Sequence, residues 1–117
     1  MSAPLVVAAT LFAGAVGAVA RAALVARAPR AGTAAANLLG TALLGLTLVA
    51  LGRGTFDAGT AVVLGVGLSG SLTTFSGWLA VLVDGLGSRP VRTVLVDLLL
   101  PTAAAVGLTV LVFAVIA

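Results

Sequence analysis

The chain has 117 residues, of which 62% are hydrophobic and 8% charged, with a formal net charge of +3; about a quarter of an ordinary soluble domain is charged. A water-soluble fold of this size cannot hide so much apolar surface. The absence of cysteine and histidine removes disulfides, thiolate or imidazole metal sites and any Ser-His or Cys-His nucleophile pair.

Four runs, 5–24, 33–51, 60–83 and 94–117, each approach the roughly 20 apolar residues that a membrane-spanning helix needs. They predict an all-α membrane protein with four transmembrane helices, a single four-span domain over 1–117. The first run has no basic residue before it and its arginines follow it, so it reads as a retained span and not a secretory signal. The connection 25–32 carries Arg27, Pro29 and Arg30, with the proline expected to end a helix. The connection 52–59 carries Arg53 and Asp57 amid glycines, and 84–92 carries Asp84, Arg89, Pro90 and Arg92. Connections this short hold no site of their own, which places function between the spans. With the arginines confined to span ends and loops, the positive charge reports membrane orientation and not nucleic-acid binding.

No ionisable residue lies at the centre of a span, and the chain has no glutamate. Proton-coupled exporters need an intramembrane carboxylate, and the small multidrug transporters of the same four-span size rely on a glutamate in the first span. That reading fails here, and pH-gradient-driven transport would be needed to revive a proton-coupled exporter.

Span 2 reads "GTAAANLLGTALLG" from Gly32 to Gly45. Thr33, Asn37, Gly40, Thr41 and Gly45 recur at offsets of three to five, which gathers a polar, small-residue stripe on one helix face. Close helix packing accounts for the glycines and threonines. Asn37 demands more, because a carboxamide in lipid is costly unless both its ends are met.

Span 3 places "GSLTTFSGW", Gly70 to Trp78, where a membrane helix should be most apolar. Gly65, Gly67, Gly70 and Gly77 weaken the helix, and Thr73, Thr74 and Ser76 compete for its backbone groups. A break near Gly70 to Thr74 would free carbonyls that are tolerated only where protein or water covers them, and such hard oxygens suit a small bare cation. An unbroken helix with its hydroxyls bonded to the preceding turn is the alternative. In span 4, Pro101 removes the amide that would bond the Asp97 carbonyl, and Thr102 and Thr109 share a face.

Three segments together resemble the Fluc/CrcB fluoride channel family: "GAVGAVAR" from Gly14 to Arg21, "GTAAANLLGTALLG", and "GSLTTFS" from Gly70 to Ser76. The resemblance implies an antiparallel dimer of four-span subunits, with a break in the third span, that lets fluoride leave the cell passively; no enzyme is implied. It implies a fluoride pathway at Asn37, Phe75 and Ser76, and a structural sodium ion held by the backbone carbonyls of Gly70 and Thr73, the partner supplying the remaining ligands. Thr41 adds a compact donor to that path. Trp78 stands where the family has a second phenylalanine, Ala22 where an aromatic commonly follows the span 1 arginine, and Pro101 and Thr102 where a pore serine is usual. These departures keep a second reading open: a structural partner subunit of a heterodimeric fluoride channel, its own pore impaired.

Connections 25–32 and 84–92 carry Arg27, Arg30, Arg89 and Arg92, against Arg53 alone on the opposite side. That bias predicts a plasma-membrane protein with both of these connections in the cytoplasm and both termini outside. A chain with one strong orientation cannot supply both halves of an antiparallel pair, so the expected partner is a similar subunit of opposite bias.

Overall fold

A computed structural model of the chain describes residues 1–116. Ala117, the end of the fourth predicted span, lies outside the described residues. Every regular element is helical among the described residues: α1 (Ala3–Arg27), α2 (Pro29–Gly52), α3 (Ala58–Val62), a π-helical segment (Val63–Ser69), α4 (Gly70–Leu72), α5 (Phe75–Leu86) and α6 (Val91–Val115). Four stretches are long and apolar enough to cross a membrane: Ala3–Arg27, Pro29–Gly52, Ala58–Leu86 and Val91–Val115. They extend the hydropathy-based spans by one to four residues at each end except the last, where the helix stops at Val115.

The first connection is far shorter than expected. Only Ala28, with extended backbone (φ −155°, ψ 105°), separates α1 from α2. Pro29 does not terminate a helix; it begins one, at the position where the missing N–H has no helical acceptor to lose. Gly32 makes the tight corner possible, because a Cβ there would collide with the Leu24 carbonyl of α1. The second connection follows expectation: Gly54 adopts φ +73°, and Asp57 caps α3 by accepting from the Thr60 amide at 2.8 Å. The Thr60 hydroxyl first, and then this amide, hold the Asp57 carboxyl below its ordinary pKa.

The third span is broken. Thr73 (φ −81°, ψ 144°) and Thr74 (φ −150°, ψ 124°) are extended between α4 and α5. The turn before the break is π-helical, with the Gly70 amide reaching back to the Gly65 carbonyl, a form found mostly as short insertions in α-helices. Its small residues face two neighbours. A Cβ on Gly67 would sit 2.8 Å from the Thr10 carbonyl of α1, and one on Gly65 would meet Leu44 of α2 at 3.3 Å.

Helix α2 is the hub and touches every other helical segment. Its contacts are made through small side chains: Gly40 lies against Ser69 and Thr73, and Gly45 against Val112 of α6. Without a hydrophobic drive between helices in lipid, such close backbone approach supplies the attraction. Buried threonines do the same while keeping their hydroxyls satisfied within the helix, Thr33 on the Pro29 carbonyl and Thr47 on the Leu43 carbonyl. Helix α6 is the least embedded, with Val94 and Val112 its buried residues.

This packing yields a stability prediction. Gly67→Val should lower stability by about 2 kcal/mol, read as a lower midpoint of SDS-induced unfolding in mild detergent. Gly14→Ala, whose Cβ meets nothing nearer than the Gly67 carbonyl at 3.9 Å, should not lower the midpoint.

Candidate functional site

The break organises the polar groups of the membrane interior. Asn37 projects from α2 to Thr74, where its Nδ2 donates to the Thr74 carbonyl at 3.1 Å and its Oδ1 accepts from the Thr74 amide at 2.7 Å. Both ends of the carboxamide are therefore met by one extended residue, which answers the requirement that a buried amide be paired. Thr74 acts twice, since its side chain also caps α5 by accepting from the Gly77 amide at 3.1 Å.

These two bonds divert donors from the helical ladder. In an unbroken helix the Thr74 amide would go to the Gly70 carbonyl, and the Gly77 amide to the Thr73 carbonyl. Here they go to Asn37 Oδ1 and Thr74 Oγ1. The Gly70 carbonyl retains only a long contact from its neighbour's hydroxyl, Thr73 Oγ1 at 3.4 Å. Gly70 is exposed, and so is this contact. Two carbonyl oxygens three residues apart are thus released from helical bonding.

A cavity of about 630 Å³ lies beside the break, between α2, α5 and α6. Asn37, Thr41, Phe75, Trp78 and Thr102 all line it. Residues from three separate spans are brought to one space. Ser76 does not line it; its hydroxyl lies 3.5 Å from Thr74 Oγ1. The Phe75 and Trp78 rings, one helical turn apart on α5, sit 5.9 Å between centroids and tilt by 49°. Phe75 is 69% exposed, directed out of the chain's core.

The hydroxyls on the cavity wall are bonded within their own helices. Thr41 donates to the Asn37 carbonyl at 2.8 Å, and Thr102 to the Leu98 carbonyl at 2.7 Å. Each presents oxygen lone pairs to the cavity in this rotamer and donates into it only after rotation. The wall residues also carry donors of their own: the second Nδ2 hydrogen of Asn37, the indole N–H of Trp78 and the amide of Phe75 in the first turn of α5, which has no intrahelical acceptor. No carboxylate lines the cavity.

Sequence reasoning singled out most of this wall and missed Thr74, whose backbone is the partner of Asn37. A repeated threonine after a glycine-rich run was the available signal, since the second of the pair is placed to cap the resuming helix. It also missed the ion group at the α1–α2 corner. There Asp97 Oδ2 accepts from Arg89 and lies 3.1 Å from Arg30 Nη1. Charged residues spread over 30, 89 and 97 carry no local spacing signal.

Residues 8–115 match the family described as CrcB-like protein, Camphor Resistance (CrcB). The chain is also 43% identical over 72 residues to the fluoride-specific ion channel FluC 1 of Symbiobacterium thermophilum, a stretch covering 61% of this chain and 58% of that protein's own length. With nearly the whole described chain matched, from the second turn of α1 to the end of α6, the chain belongs to the CrcB family.

Proposed function

We propose that the chain is a subunit of a fluoride-selective channel, passive and not an enzyme, whose path runs along the cavity between α2, α5 and α6. The observation that carries this reading is the convergence of Asn37, Phe75 and Trp78 on one carboxylate-free space beside the helix break. Family membership and the likeness to a protein named as a fluoride-specific channel support it. Fluoride is small and strongly hydrated, so a selective path must replace water with compact neutral donors. The Asn37 amide, the positive edges of the Phe75 and Trp78 rings and the N-terminal end of α5 are of that kind. Thr41, Thr102 and Ser76 contribute by hydroxyl rotation. Neutral donors hold an anion weakly enough to release it.

The released carbonyls of Gly70 and Thr73 fit a structural sodium ion, because they are hard oxygen donors freed of helical bonds. One chain offers two such oxygens, and an antiparallel second subunit doubles the number. In this reading the ion holds the two breaks together at the dimer interface. The arginine bias favours a partner of opposite orientation, a related subunit rather than a second copy, with the connection at Ala28 and that after α5 in the cytoplasm of a plasma-membrane protein and both termini outside.

Liposomes containing the protein, alone or with its partner, should release fluoride and little chloride; equal leakage of both anions would count against the channel. Asn37→Asp should reduce fluoride release to background, since it places a carboxylate on the path and removes the donor to the Thr74 carbonyl. Full flux through a folded Asn37→Asp protein would confine Asn37 to holding the break, and would favour the structural-partner reading.

Thr73→Val should retain sodium-dependent dimer stability, measured by crosslinking in detergent with and without sodium, because the ligand is a carbonyl. Equal crosslinking with and without sodium in the unsubstituted protein would remove the ion from the reading.

Orientation is testable with one cysteine placed at Thr55 in this cysteine-free chain. An impermeant thiol reagent should label it almost completely from outside intact cells. Labelling near one half would mean dual topology and would sink the paired-subunit proposal.

A further inference from the structure

Two cavities meet at Trp78. The larger is the space beside the helix break; the other, about 370 Å³, opens at the corner between α1 and α2, and Ala34, Trp78 and Pro101 line both. Arg30 and Asp97 line the second cavity at its outer end, together with the first residues of α2. That helix end has no side-chain cap, so its positive dipole end faces the same space.

The two arginines on Asp97 are not equivalent. The Arg89 side chain is 20% exposed and pairs with Asp97 Oδ2. Its guanidinium lies so close to Gly85 that a Cβ there would collide with it. Arg89 does not line the cavity. Arg30, 50% exposed, shares the same carboxylate oxygen at 3.1 Å and does line it. One carboxylate between two guanidiniums leaves one positive charge over. The packed arginine neutralises the aspartate, and the more exposed one retains a net charge toward the cavity.

We propose that this triad sets the potential at one mouth of the anion path: Arg30 attracts the anion, and Arg89 is a positioning residue that cancels Asp97, whose carboxylate would otherwise repel it. The proposal rests on the channel reading above. It assigns a purpose to a carboxylate at an anion entrance, which is otherwise adverse. Asp97 orients Arg30 over the opening and steadies the uncapped end of α2, while its charge is silenced from the far side by Arg89.

The test is initial fluoride flux from liposomes, with the channel reconstituted alone or with its partner, at low ionic strength and at high impermeant salt. The screening length falls from about 10 Å at 0.1 M to about 3 Å at 1 M. Arg30→Gln and Arg89→Gln should each slow flux by about threefold or more at low salt, Arg30→Lys should keep it, and the deficits should shrink at 1 M. Adding Asp97→Asn to Arg89→Gln should recover most of the loss. A route that compares charges on one already folded and reconstituted protein uses Arg30→Cys, modified after reconstitution with a cationic, neutral or anionic thiol reagent. Flux should rank cationic above neutral above anionic. Equal flux with the three reagents, or an Arg30→Gln deficit unchanged by salt, overturns the triad while wild-type fluoride flux leaves the channel reading standing. Absence of wild-type flux overturns the channel reading and the triad with it.

Discussion

A helix interrupted inside a membrane exposes backbone groups that lipid cannot satisfy, at several kcal/mol for each unpaired group. In this chain the two bonds between the Asn37 carboxamide and the Thr74 backbone remove that penalty. Their geometry resembles one rung of a β-ladder, with a side-chain amide in place of a second strand. Much else depends on this rung. It fixes where α5 restarts, hence where Phe75 and Trp78 stand, and it takes the donor that would have occupied the Gly70 carbonyl. Removing either partner leaves the other unpaired in a low dielectric, where the asymmetry between a made and an unmade bond is greatest.

Close backbone approach supplies the frame that holds the rung in register. Gly17 lies against the Leu68 carbonyl, 2.7 Å from where its Cβ would be, and Gly40 lies 3.1 Å, measured the same way, from that of Ser69. Both contacts fall on the residues just before the break, so the half of the third span preceding it is gripped by α1 on one side and α2 on the other. The half that follows is held differently: α5 buries only Leu82 and Gly85 and relies on its Thr74 cap and on lighter contacts with α2 and α6. The break therefore joins a firmly packed segment to a loosely packed one.

Hydropathy made the four spans legible because membrane helices are specified by length and apolarity, which are properties of the sequence alone. Asn37 was legible because its chemistry conflicts with its surroundings, and the break because glycines and hydroxyls cluster where neither favours a helix. The π-helical turn was not legible. Its register follows from fitting Gly65 and Gly67 between two neighbours, a tertiary demand without a local signature. The start of α2 was misread because proline is compatible with either side of a helix boundary, and only the extended backbone of Ala28 decides which. Thr41 and Thr102 were legible as wall residues, but their bonds back to their own helices were not, since a hydroxyl's partner depends on its rotamer.

The single-residue link at Ala28 has a mechanical consequence. With Gly32 packed on the Leu24 carbonyl, α1 and α2 can neither slide along each other nor part at that end, and the pair forms a stiff hairpin fit to enter the bilayer as one piece. Compliance is left to the opposite flank. Helix α6 carries two buried residues and a proline at its waist, and it forms one wall of the cavity. The width of that space thus depends on a sparsely buried helix, and bending of α6 about Pro101 would widen or narrow it.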